Sequence, residues 1–318
     1  MPKVKRVSRN RFSTIILAAG KGKRMYSKTP KVLFNILGKS MLSFVIDNAR
    51  AIESGEVILV VGKNFQQIKK IFKKSVRYAF QPVPLGSGDA ALKGLEQARL
   101  SNVLILSGDV PLLRASTLQQ MIEFHHKKGA NLTILTCRLE NPFGYGRIIR
   151  DRRGRVRAII EQTDATKREQ KIKEVNAGVY YANANILKTA LQRVIPKNMQ
   201  GEYYLTDAVK ELIDKKKKVQ AYTADDPDEI LGINTKFDLA RARDIVKAHF
   251  FEELMRRGVY IEDPETTNID LTVEIGNFVH IRPYTILEGN TRIKDGTTVG
   301  PFAWIKDGKH KKFLRNVR

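Results

Sequence analysis

Residues Thr14–Phe34 read TIILAAGKGKRMYSKTPKVLF. An apolar run breaks into small residues and glycines, and five cations, Lys21, Lys23, Arg24, Lys28 and Lys31, follow within eleven residues. The apolar part reads as a strand buried on both faces, which places it inside a parallel sheet. The part behind it reads as a loop for a phosphate-bearing ligand. Glycines at 20 and 22 let backbone N–H groups approach a phosphate. Arg24 offers a planar fork and Lys31 a compact charge. A P-loop would need G-x-x-x-x-G-K-[ST], which is absent. A dinucleotide fingerprint would need a third glycine where Met25 stands. A basic surface loop after a core strand is the plain alternative.

Outward from this stretch, short aliphatic runs alternate with amphipathic ones. EVILVVG, NVLILSGDV and ANLTILTC read as strands. SMLSFVIDNARAI, NFQQIKKIFKK, GDAALKGLEQAR and STLQQMIEFHHKKG read as helices. Strands separated by helices of this length imply parallel pairing in one α/β sheet. From about Arg147 the pattern changes. GRIIRD, RVRAIIEQ and EVNAGVYYAN read as a β insertion covering one end of the sheet. NILKTALQRV and YYLTDAVKELIDKKKK return to helix, VQAYTA to strand, and NTKFDLARARDIVKAHFFEELMRRG to a long helix stopping at Gly258.

Then comes a repeat. Ile269, Ile275, Ile281, Leu287, Ile293, Val299 and Ile305 are all six apart, and a smaller residue stands two places before each of the last six. That period fits neither a helix nor an alternating strand; it fits the triangular coils of a parallel β-helix, about two of them. The expected organisation is a basic tail (1–12), an α/β domain (13–234), a linker helix (235–258), a short hexapeptide-repeat β-helix (259–305) and a second basic tail (306–318).

Composition bounds the rest. At 318 residues, 42% hydrophobic and 28% charged, the chain is globular. It has no apolar run long enough for a membrane span. One cysteine, Cys137, excludes an internal disulfide and suits a reducing cytoplasm. Ten of the 24 net positive charges come from the ends: residues 1–12 carry five cations and no acid, residues 306–318 six cations and one acid. No nucleic-acid motif or aromatic-interleaved basic helix accompanies that charge, which argues against a nucleic-acid partner. The five histidines have no ligand spacing, and His125 and His126 read as helix surface.

The opening stretch does not stand alone. With GSGDA, SGDVPLL, NPFGYGRIIRD, IIEQTDAT, VNAGVYYAN, GEYYLTDAV and GINTKFDLARA, in that order, it resembles the sugar-nucleotidyltransferases, and among them the bacterial N-acetylglucosamine-1-phosphate uridylyltransferases, over residues 14–305. The resemblance implies a Rossmann-like mixed, mainly parallel sheet with a β insertion, followed by a left-handed parallel β-helix stub. It implies UTP and N-acetylglucosamine-1-phosphate as substrates, UDP-N-acetylglucosamine and pyrophosphate as products, and Mg²⁺ as cofactor. By position, Leu17, Ala18, Ala19 and Gly20 match the nucleotide loop, with Arg24 and Lys31 on the phosphates. Gln81 matches the glutamine that reads uracil, and Gly86 and Ser87 a Gly-Thr pair near base and ribose. Ser107, Gly108 and Asp109 end a strand where open α/β sheets bind ligands, and Asp109 matches the magnesium-binding aspartate, with Asn234 the second protein ligand. Gly146, Glu161 and Asn176 match the groups that hold the acetamido sugar.

The chemistry agrees with that set. A sugar phosphate is already an anionic nucleophile, so no general base is required; the work is to hold two repelling anions together and neutralise developing charge. The sequence departs from the family at Ser87 and Asp89, where Gly-Thr-x-His-Ala is usual, and at Pro84. An acid at position 89 repels a triphosphate unless it faces away. The family enzymes continue into further coils carrying acetyl transfer, and this sequence stops after about two, so that activity is expected to be absent. A homotrimer built through the β-helix is the assembly the resemblance implies, on a short platform. Other sugar-1-phosphates, dTTP, or a non-catalytic binding subunit are the competing readings.

Overall fold

The computed structural model describes residues 11–20, 22–63 and 65–311; Lys21 and most of both basic tails lie outside them. The described chain divides into two units.

The first unit runs to Val32 and resumes over Phe44–Gly232. Its sheet is built from β1 (Phe12–Leu17), β2 (Glu56–Val61), β3 (Arg77–Phe80), β4 (Asn102–Ser107), β5 (Leu132–Arg138), β6 (Arg147–Arg150), β7 (Val156–Ile160), β8 (Glu174–Asn183) and β9 (Val219–Ala224). The order is β9-β5-β8-β4-β1-β2-β3, with β6 joined to β8 and β7 joined to β6. Strand β1 pairs in parallel with β2 and β4, aligning Ile15 with Ile58 and with Ile105. Ile15 and Ile16 point to opposite faces and are both fully buried, as a central strand between two helical layers requires. The helices of the unit are α2 (Phe65–Phe72), α3 (Ser87–Gln97), α4 (Ala115–Lys128), α5 (Ala184–Leu191) and α6 (Asp207–Asp214), besides α1 (Met41–Ala51), whose first turn the division assigns to the second unit.

Two features differ from the sequence reading. The stretch Arg77–Phe80, read as no element, is an edge strand parallel to β2. The segment EVNAGVYYAN does not cover the end of the sheet. It enters the sheet as β8, antiparallel to both β4 and β5. Its register shifts between Asn176 and Tyr180, a bulge that bends the strand and re-aims its side chains. Only its first residues carry the insertion proper, where Val175 pairs with Arg147 of β6.

His125 also departs from the expected helix surface. Thr117, Leu118, Met121 and His125 form the buried face of α4. His125 is 5% exposed, its ring lies edge-on to Tyr181 at 4.7 Å, and Nδ1 and Thr133 Oγ1 share a 2.9 Å hydrogen bond. Burial first, and His126 next, lower its pKa to about 4. Its neighbour His126 is exposed, as read.

The second unit holds Leu33–Ser43 and the chain from Ile233. Helix α7 (Lys236–Arg256) starts on a capping box: Asp238 N–H donates to Thr235 Oγ1 and Thr235 N–H to the Asp238 carboxylate. Eight short strands follow between Tyr260 and Lys306. Strands about 18 residues apart pair in parallel, as Asn268 with Ile286 and Ile286 with Trp304, giving three ladders. All seven aliphatic residues of the six-residue repeat are buried. Phe251 and Leu254 of α7 pack into the same core.

Candidate active site

Strands β1 and β4 are adjacent and parallel, so the turns after them open on the same edge of the sheet. The turn after β1 is drawn inward by two backbone bonds, Ala18 N–H to Val60 O and Gly108 N–H to Leu17 O. Beyond it Gly22 is left-handed at φ 58°, and a Cβ there would lie 2.7 Å from the Cβ of Lys31. Glycine at 22 therefore lets the loop fold back so that Lys31 reaches the strand edge. Arg24 lies in the exposed single turn Lys23–Met25, anchored by buried Met25.

A cavity of about 420 Å³ lies at this edge. Leu17, Ala18, Ala19, Gly20, Lys31, Gln81, Gly86, Ser87, Ser107 and Asp109, all singled out from the sequence, line it. Lys23, Val32, Pro84, Ala90 and Glu202 line it too. Glu202 was missed as a site residue, although it stands in the quoted GEYYLTD block. Arg24 and Gly108 are outside the lining, Gly108 acting through its backbone. Lys31 Nζ donates to Asp109 Oδ2, in an ion pair whose side chains are 12% and 23% exposed.

On the other wall, Gly86 precedes α3 at φ 118°, and a Cβ there would lie 2.4 Å from Tyr203 O. That close approach lets Gly88 N–H donate to Tyr203 O, Tyr203 N–H to Leu85 O, and Leu205 N–H to Ser87 Oγ. The residues from Glu202 to Thr206 are thereby stitched to the start of α3. Asp89 does not line the cavity; its carboxylate accepts a 2.7 Å bond from Gln81 Nε2. The acid is turned onto Gln81 and is not part of the cavity lining.

The three residues read as sugar-binding form a second cluster. Asn176 N–H donates to Gly146 O at 2.9 Å, and a Cβ on Gly146 would sit 3.3 Å from Glu161 Oε2. Glu161 Oε1 accepts from Thr206 Oγ1 at 3.0 Å. Burial raises the pKa of Glu161 against that bond, and Asp207 and Asp164 add to the rise. Asn176 Oδ1 accepts from Gly178 N–H, and a Cβ on Gly178 would lie 3.6 Å from Ser107 Oγ. The cluster thus adjoins the cavity on two sides, through the β8 bulge to Ser107 and through Thr206 to the Glu202 segment. Asn234 belongs to the second unit, just before the α7 cap, with its N–H on Asp238 Oδ2 at 3.0 Å.

The arrangement can bind an anion at a glycine turn flanked by cations, hold a flat polar group against Gln81, and place a polyol beside Glu161 and Asn176. Among the described residues no helix is long and apolar enough to cross a membrane. Comparison with known proteins finds relatives of the chain. The bifunctional protein GlmU of Thermoanaerobacter pseudethanolicus is 43% identical over 297 residues, covering 93% of this chain and 65% of the relative. The proteins of that name from Caldanaerobacter subterraneus and Trichlorobacter lovleyi are 41% and 43% identical, over 92% and 90% of this chain and 64% and 63% of theirs. The chain therefore spans just under two-thirds of the length of these relatives. The family model described as nucleotidyl transferase matches residues 13–314, and with the cavity where it is, the chain belongs to the nucleotidyl transferase family.

Proposed function

We propose that this chain transfers a uridylyl group from UTP to N-acetylglucosamine-1-phosphate, giving UDP-N-acetylglucosamine and pyrophosphate. The observation that carries the reading is a single cavity collecting the Leu17–Gly20 turn, Lys31, Gln81 and Asp109, next to the Gly146–Glu161–Asn176 cluster. The relatives named GlmU support the same reading.

In this reaction an oxygen of the sugar phosphate attacks the α-phosphorus of UTP, and the bond from that phosphorus to the bridging oxygen of the β-phosphate breaks. No proton has to move, because the attacking phosphate is already ionised. The protein's work is alignment and charge neutralisation. Lys31, with Arg24 and the turn amides, would take the triphosphate. Gln81, Gly86 and Ser87 would hold the uridine. Glu161, Asn176 and Gly146 would hold the sugar.

The donor set at the cavity fits Mg²⁺, which takes one or two carboxylates and completes its shell with water and phosphate oxygens. Asp109 would supply the carboxylate, and Asn234 is assigned as the second protein ligand on the sequence resemblance alone. Bound there, the ion would supply neutralisation of the departing pyrophosphate. The same reading takes the repeat as a left-handed parallel β-helix, a homotrimer as its assembly, and the cytoplasm as its compartment.

The test is pyrophosphate release from UTP and Mg²⁺ with either N-acetylglucosamine-1-phosphate or glucose-1-phosphate, for the wild type and for Asp109→Ala. Release that prefers the acetamido sugar and drops by about 10²-fold or more in the variant is expected. Equal use of glucose-1-phosphate moves the substrate to another hexose, and silence with every sugar phosphate overturns the reading.

A further inference from the structure

Gln81 is 3% exposed and follows β3, its N–H on Val61 O. Its side-chain amide nitrogen makes two bonds, 3.1 Å to Gly86 O and 2.7 Å to Asp89 Oδ2. Both partners can only accept, the first as a backbone carbonyl and the second as a carboxylate. The two partners therefore fix which end of the amide is nitrogen: a reversed amide would set its oxygen against two acceptors. An amide nitrogen carries two protons, and both are used inside the protein. What Gln81 keeps for a ligand in the cavity it lines is Oε1, an acceptor.

Asp89 is the residue at which this sequence replaces the histidine usual at that place. It sits in the first turn of α3, where a negative charge is favoured. Its bond to Gln81 is charge-assisted, the stronger of the two by type and the shorter by distance. Remove it, and only Gly86 O is left to oppose the reversed amide, which weakens the preference for one orientation.

We propose that Asp89 is a positioning residue that sets base specificity, by holding Gln81 so that Oε1 alone meets the nucleobase. An acceptor at that point selects a base with a ring N–H, the imide of uracil or thymine. It rejects cytosine, whose N3 is a lone pair facing another lone pair. Unpaired polar groups of this kind discriminate more strongly than lost apolar contact. The inference rests on the uridylyl reading above for the identity of the pocket's occupant.

The test compares UTP with CTP for the full chain and for Asp89→Asn and Asp89→Leu. Two readouts are taken: kcat/KM for pyrophosphate release with N-acetylglucosamine-1-phosphate, and equilibrium binding of each nucleotide by calorimetry without the sugar phosphate. Wild type is expected to favour UTP strongly. Both variants are expected to lose at least tenfold of that preference, chiefly by gain with CTP, while KM for the sugar phosphate stays within twofold. Asp89→Glu is expected to restore much of the preference. A UTP-to-CTP ratio unchanged in both Asn and Leu variants overturns the proposal, and so does an equal loss with both nucleotides, which a merely structural role would give. If the wild type binds UTP over CTP but releases no pyrophosphate, the catalytic reading fails and the binding ratio alone decides the role of Asp89. If it binds neither, both fall.

Discussion

The Lys31 ammonium donates to the Asp109 carboxylate, tying the loop after β1 to the turn after β4 across 78 positions of sequence. Both side chains are largely buried in the wall of the cavity. Each charge compensates the other in a partly desolvated wall, and removing one takes that compensation from its partner. Lys31→Met and Asp109→Ala are each expected to cost about 1–3 kcal/mol of stability. The double variant should cost less than the sum by at least about 0.5 kcal/mol, because contacting residues are not additive. Urea unfolding of the four proteins closes the cycle. Strict additivity would mean that the pair is not formed in solution. On activity, Lys31→Met should lose about 10²–10³-fold in kcat if the ammonium meets the triphosphate.

The buried His125 predicts a pH dependence of stability with a definite sign. Burial depresses its folded pKa to about 4 from an ordinary 6.5. The ring is neutral in the fold, so its contribution is intact above pH 6.5. As pH falls below that, the unfolded chain takes up a proton that the fold refuses, and stability is lost down to about pH 4. The loss is at most about 3 kcal/mol at the bottom of that window. Glu161 and Asp207 act the other way, since burial raises their pKa values and protonation on acidification favours the fold. Comparing wild type with His125→Leu at each pH removes those two groups from the difference. The wild type should lose stability relative to the variant between pH 6.5 and 4. An identical pH slope in the two proteins would show that His125 is not held neutral.

The places where sequence and structure part company have local causes. Strand β1 and its loop were legible because a buried strand must be apolar on both faces and a phosphate loop must be small and basic. The six-residue repeat was legible because one buried aliphatic per short strand leaves a fixed period. Strand β8 was read as a strand but not as an antiparallel member of the central sheet, because pairing partners distant in sequence, such as Ile105 for Tyr180 and Arg138 for Glu174, leave no mark on local composition. The edge strand Arg77–Phe80 carries a cation and half-exposed residues, so its pattern is weak. His125 had a signal: Leu118, Met121 and His125 share a helical face. The bonds joining Tyr203 to Leu85 and Gly88 are between backbone groups and the one from Leu205 ends on the Ser87 hydroxyl, and sequence alone is silent on them. Asp89 and Gln81 were each legible in the sequence, while the bond between them was visible only in three dimensions.

Arg147 carries the last expectation. It is 1% exposed on β6, and its guanidinium donates to Tyr145 O, to Gln162 Oε1 at 2.7 Å and to Gln170 O at 3.4 Å. Gln162 Oε1 also accepts from Gly144 N–H at 3.0 Å. One buried cation thus gathers the loop ending at Gly146 and the segment beginning at Glu161, the two stretches read as gripping the sugar. Its Nε has no partner among the described residues, and burial lowers its pKa while Glu161 opposes that fall. Arg147→Met keeps the bulk and removes every donor. It should raise KM for N-acetylglucosamine-1-phosphate by about tenfold, the worth of one or two charged hydrogen bonds used for positioning. KM for UTP should stay within about twofold, because the nucleotide wall is built by other segments. Arg147→Lys, which retains one charge but not the fork, should fall between the two. Equal increases in both KM values would make Arg147 a general support of the unit, and unchanged values would detach the Gly146–Glu161 cluster from sugar binding altogether.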